Sequence, residues 1–134
     1  MSGVDAYADI QAGICGFHTQ VATQADGSYS VSFDIVTDCE TIAALAAGLT
    51  EHGPFNALEE IDPRTPSDLL AVVSTHLKGC CAGCAVPVGL FKTMQVAAGL
   101  ALPKDVEIGL SADRTTRAEQ TRTVNGTSQR KAME

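Results

Sequence analysis

The chain has 134 residues, of which 45% are apolar but only 4% aromatic, with no Trp, so any core it builds is aliphatic. A formal charge of −7 argues against nucleic acid or an anionic membrane as its main partner. No apolar run nears the roughly 18–20 residues of a membrane span, and the start Met1–Asp5 lacks the basic-then-apolar pattern of a signal peptide. These features point to a cytoplasmic protein. There thiols stay reduced, so a cluster among its five cysteines reads as metal-binding or reactive rather than as a disulfide framework.

Residues 4–14 alternate. Val4, Ala6, Ala8, Ile10, Ala12 and Ile14 share one face, and Asp5, Tyr7, Asp9 and Gln11 the other, the mark of a half-buried strand. Gly13 and Gly16 flank Ile14-Cys15, which places Cys15 at the mouth of a hairpin. A second strand is expected at about 17–25, then a tight turn at Asp26-Gly27, where glycine accepts positive φ. A third follows at about 29–37, with Tyr29, Val31, Phe33 and Ile35 on its apolar face. Three consecutive one-faced strands make an antiparallel meander that something must cover.

Helices are the expected cover. Asp38 is a candidate N-cap for a helix carrying Ile42, Leu45, Ala46 and Leu49, which Gly48 or Gly53 ends. A connection from Pro54 to Pro66 holds one helical turn near Ala57–Glu60. Thr65 then caps a second helix with Pro66 at its first position and Leu69, Leu70, Val73 and Leu77 as its stripe. A third helix is expected over about 87–99, from Pro87 to Gly99. Asp105–Leu110 alternates and predicts a last strand added to the meander. The fold class is therefore α+β: a three-stranded meander plus a C-terminal strand, covered on one face by about three helices. One domain is expected over 1–111. The polar stretch 112–134 reads as a loose tail; it holds five basic and three acidic residues, which leaves about −9 on the body.

Gly79-Cys80-Cys81-Ala82-Gly83-Cys84-Ala85-Val86-Pro87 carries the chemistry. Cys81 and Cys84 form a C-x-x-C, a spacing at which two thiolates can hold one ion once a turn, here at Gly83, brings them together. Zinc sites usually supply a second pair. Cys15 and Cys39, at strand ends on the same side of a meander, are the remaining candidates. Cys80 is a fifth sulfur, able to act as an extra or exchanging ligand. A thioredoxin-type use of the C-x-x-C fits poorly, because that motif belongs at a strand-to-helix junction and a helix precedes it here. The bland reading of each lone cysteine is a small core hydrophobe. His18 lies near Cys15 on the polar strand face, His52 falls in a loop, and His76, in a last helical turn, is a reserve ligand. Glu59, Glu60 and Asp62 read as a solvated face. No catalytic triad or phosphate-binding loop is present, which points away from an enzyme.

Ile14-Cys15-Gly16-Phe17, Cys39, Cys84-Ala85-Val86-Pro87 and Val96–Val106, with its Gly-Leu-Ala-Leu-Pro-Lys-Asp-Val run, resemble a family of small uncharacterised proteins from anaerobic bacteria and methanogens. The likeness covers about 10–110 and implies no assigned activity. A more distant similarity is to the U-type iron–sulfur cluster scaffolds, whose cysteines take the serial places of Cys15-Gly16, Cys39 and Cys80-Cys81. The chain departs from them at Phe17, where the scaffolds have Asp, and in its Cys-Cys pair, where they have His-Cys. Together these readings lead to a small metal-binding protein that holds an iron–sulfur cluster, or else zinc, through Cys15, Cys39, Cys81 and Cys84. Its expected roles are cluster carriage, scaffolding or electron transfer with a protein partner. The alternatives are a metal-free thiol redox protein using Cys80, Cys81 and Cys84, and a structural or binding module with packed cysteines.

Overall fold

The computed structural model describes residues 5–113, apart from the side chain of Cys80. The expected 112–134 extension therefore lies almost wholly outside the described residues. Strands β1 (Asp5–Gln11), β2 (His18–Ala25) and β3 (Ser30–Thr37) form an antiparallel meander, and a two-residue strand β4 (Phe55–Asn56) pairs with the start of β3. Helices α1 (Glu40–His52), α2 (Ala57–Glu60), α3 (Asp68–His76) and α4 (Val86–Ala97) complete the fold, with a 3-10 turn over Gly79–Gly83 between the last two. The fold is α+β, as the alternating and helical patterns require.

The register puts the buried apolar positions of the meander on one face, while Tyr7 and Val36 stand exposed on the other. Ala6 lies opposite Thr23, Ala8 opposite Val21 and Ile10 opposite Thr19; Val31, Phe33 and Ile35 continue the rows on β3. α4 packs over β1 and β2, α1 over β3, and α3 against α1. The core is aliphatic, with Leu45, Leu69, Leu90, Met94, Val21 and Val31 fully buried. Two glycines let the layers close up. A Cβ on Gly89 of α4 would stand 2.4 Å from Ile10 Cδ1, and one on Gly48 of α1 would stand 2.6 Å from His76 Cε1. A buried hydroxyl relay joins the layers: Thr23 Oγ1 donates to Thr93 Oγ1 at 2.9 Å, and Thr93 Oγ1 donates to the Gly89 carbonyl at 2.8 Å.

The fourth strand is not the expected one. Residues 105–110 form no strand, and Val106, Ile108 and Leu110 are exposed. Alternation makes a segment able to be a strand, but pairing needs an edge. The observed fourth strand, Phe55-Asn56, pairs only with Ser30 and Val31 at the start of β3, and buried Phe55 meets Phe33 at a ring separation of 6.0 Å. By contact density the chain divides after Pro103, with Lys104 onward forming a second unit.

Several caps also differ from expectation. Of the two glycines expected to end α1, it is Gly53 that does so. Ser67, not Thr65, caps α3, its Oγ accepting the Leu70 N–H at 2.8 Å. Glu60 completes that cap: Oε2 accepts the N–H groups of Asp68 and Leu69, and Oε1 the Ser67 hydroxyl. A carboxylate at a helix N-terminus satisfies otherwise orphaned donors, so Glu60 is not part of a solvated face. Asp62 is held by Arg64 through its side chain and backbone, which keeps its carboxyl below the usual range.

Candidate metal centre

Cys15 occupies the β1–β2 turn. Gly13 and Gly16 take φ of +97° and +76°, and the turn is closed by Gly16 N–H to the Gly13 carbonyl at 2.9 Å and Ala12 N–H to the Phe17 carbonyl at 3.1 Å. Side chains other than glycine rarely adopt such φ values, so this spacing of two glycines shapes the tip. It leaves Cys15 exposed and its neighbour Ile14 fully exposed.

Cys39 stands between β3 and α1, and it, rather than Asp38, is the N-cap residue, with no side-chain cap bond. Asp38 is drawn away because the β2–β3 ladder runs on through it. Its N–H reaches the His18 carbonyl at 3.4 Å, and its Oδ1 accepts the His18 N–H at 2.9 Å. That clasp ties the start of β2, just after the Cys15 turn, to the residue preceding Cys39. The Thr37 hydroxyl accepts the Cys39 N–H at 3.1 Å and meets Thr19 Oγ1 at 2.8 Å.

Cys81 and Cys84 bracket the end of the 3-10 turn. Cys81 N–H donates to the Lys78 carbonyl at 3.2 Å, and Cys84 N–H to the Cys81 carbonyl at 3.1 Å, so the C-x-x-C is itself one turn. Gly79 takes the positive φ of +64° as the chain enters this turn; Gly83, the expected hinge, does not. α4 then begins Val86-Pro87. Pro87 has no N–H to offer, and the Val86 N–H donates to Cys84 Sγ at 3.4 Å. Cys39, Cys81 and Cys84 are half-buried and packed against the core. All four of these cysteines are free.

The electrostatics at Cys84 relate the three segments. Its thiol pKa is raised, first by burial; the Val86 N–H acts in the opposite direction, and the charges of Cys15, Cys39 and Cys81 add to the rise. Thiols from the hairpin tip, the β3–α1 junction and the turn before α4 are thus within electrostatic reach of one sulfur. Among the described residues, no three His, Cys, Asp or Glu side chains stand in the arrangement of a bound ion.

The histidines have other partners. His18 Nε2 pairs with the Asp9 carboxylate. His76 bonds the Val72 carbonyl through Nδ1 at 3.0 Å, with its ring over Gly48 in the α1–α3 seam. His52 is not in a loop: it ends α1, stacks on Phe55 at 4.1 Å and faces Asp68 at 3.7 Å. Two shallow concavities lie away from the cysteines, one on the uncovered sheet face around Tyr7, Gln20 and Val36, the other beside Phe55. Among the described residues no helix is long and apolar enough to cross a membrane.

The chain belongs to a family of unknown function, DUF6951. The match runs over residues 6–110 and so includes Cys15, Cys39, Cys81 and Cys84. No curated protein and no solved structure matches the chain.

Sequence reasoning missed three features of this centre: the sulfur-directed Val86 N–H, the Asp38–His18 clasp and the exposure of Ile14. The first had a local signal, since Cys-x-Val-Pro leaves the N–H of the first helical residue free beside a thiol. The second needed the β2–β3 register, which no local pattern supplies.

Proposed function

We propose that this protein holds an iron–sulfur cluster, with zinc as the alternative occupant, through Cys15, Cys39, Cys81 and Cys84. Its role is cluster carriage, scaffolding or electron transfer in the cytoplasm with a protein partner. The observation that carries the reading is the placement of free cysteines at three separate junctions of the fold, with Cys39, Cys81 and Cys84 packed against the same core. Four thiolates are the donor set of both tetrahedral zinc and iron–sulfur clusters. The Val86 N–H aimed at Cys84 Sγ supports it further, because hydrogen bonds to sulfur stabilise a ligating thiolate and tune a cluster's potential. The serial likeness to the U-type scaffolds favours the cluster.

The competing reading is a metal-free redox protein using Cys80, Cys81 and Cys84. It requires a thiol of lowered pKa, whereas burial moves Cys84 the other way. Purification without oxygen, followed by an absorption spectrum and analysis for iron, sulfide and zinc, separates the readings. A brown protein with iron and sulfide is the expected result. One zinc per colourless chain selects the alternative occupant. Metal-free protein with one rapidly alkylated thiol overturns the proposal.

A further inference from the structure

We propose that Cys15 is the exchangeable ligand of this centre, the position at which a thiolate from a partner molecule enters. The inference rests on the four-cysteine reading above and assigns the four ligands unequal parts.

The inequality is built into the backbone. Cys39 is fixed on both sides, its N–H bonded to Thr37 Oγ1 at 3.1 Å and its carbonyl accepting the Ala43 N–H at 2.9 Å as α1 begins. Cys81 and Cys84 are tied by the 3-10 turn, and Cys84 Sγ also accepts the Val86 N–H. All three side chains pack against the hydrophobic core. To leave a bound ion, any of them must disturb that packing. Cys15 has none of these restraints. It is exposed, stands between two glycines of positive φ, and forms no hydrogen bond of its own among the described residues. The closures of its turn are made by Ala12, Gly13, Gly16 and Phe17 instead. A ligand on such a tip can swing away while its three companions stay in place.

The neighbourhood suits an incoming protein. Ile14 is fully exposed beside Cys15, and Phe17 is partly exposed two residues on. An apolar contact there puts a partner's thiol next to the departing sulfur. In the exchange an incoming thiol passes its proton to the Cys15 sulfur as that sulfur leaves, the resulting thiolate takes the vacated place, and no electron changes hands.

The test compares wild type with Cys15→Ser, Cys39→Ser, Cys81→Ser and Cys84→Ser, all purified without oxygen. Metal per chain and the rate of release to EDTA are measured, with circular dichroism as the control for folding. In parallel, iodoacetamide footprinting of the metal-loaded wild type reports which cysteine is modified first. Loss of even an outer-sphere partner weakens metal sites by roughly 10–100-fold. Cys15→Ser is therefore expected to retain metal and to release it at least about tenfold faster. The other three variants are expected to be empty, and Cys15 is expected to be the first of the four ligands to be alkylated, whatever the reactivity of the unligated Cys80. A Cys15→Ser variant as empty as Cys39→Ser, one that releases metal at the wild-type rate, or first alkylation at Cys39, Cys81 or Cys84 overturns the inference while the metal reading stands. A wild type without metal overturns both.

Discussion

The two hairpin turns of the meander are made in opposite ways. The β2–β3 turn is locked by one side chain: Asp26 Oδ1 accepts the Ser28 N–H at 2.8 Å, the Ser28 hydroxyl at 2.9 Å and the Ser30 N–H at 3.1 Å. The β1–β2 turn has no such anchor among the described residues; two glycines shape it, and it holds Ile14 and Cys15 out in water. One turn ends a sheet, and the other presents a side chain. Where a turn must only reverse the chain, a polar residue bonding its own backbone is enough. In the β1–β2 turn the closures are backbone bonds alone, from Gly16 N–H to the Gly13 carbonyl and from Ala12 N–H to the Phe17 carbonyl.

Breaking the presenting end is expected to have the largest effect. On the proposed metal reading, Cys39→Ser or Cys84→Ser should abolish metal binding while the Asp26 end and the helical content are kept, which metal analysis and circular dichroism check together. The support of α4 comes next. Thr93→Val leaves the buried Thr23 hydroxyl without its acceptor, a loss of about 1–3 kcal/mol in denaturant unfolding. Adding Thr23→Val should recover part of that loss, because the second change removes the orphaned group.

Smaller effects sharpen the contrast between the turns themselves. Gly16→Ala meets open space but must adopt φ near +76°, so a cost of about 1–2 kcal/mol is expected from the backbone alone. The smallest effect belongs to Asp26, whose carboxyl is held below its ordinary value by the backbone and side-chain bonds from Ser28, then by Ser30. A lowered folded pKa contributes stability above the ordinary carboxylate value of 3.8, which is lost as the pH falls through the folded pKa. Asp26→Asn should therefore flatten the acid limb of the stability profile slightly and leave metal content unchanged. A change in metal content would show that the two ends are coupled.

The same division marks what could be read without coordinates. Alternation alone assigned Ala6, Ala8, Ile10, Val21, Val31, Phe33 and Ile35 to the covered face, because strand side chains alternate whatever lies above them. Helical spacing did the same for Ile42, Leu45 and Leu49. It did not show that Gly27 leaves the positive φ of its turn to Tyr29, at +70°, because the Asp26 bonds choose the turn's geometry. Nor did it show that Phe55-Asn56 would pair with the start of β3, or that residues 105–110 would form no strand.

For this protein, then, the amino-acid pattern determined the meander, its buried face, the helical stripes and the cysteine spacing, all consequences of period and local chemistry. The tertiary structure decided which segment pairs with the start of β3, which residue caps each helix, and that Cys39, Cys81 and Cys84 pack against one core. Those outcomes depend on pairing register and on one helix approaching another at Gly48 and a strand at Gly89, and a local window of sequence contains neither.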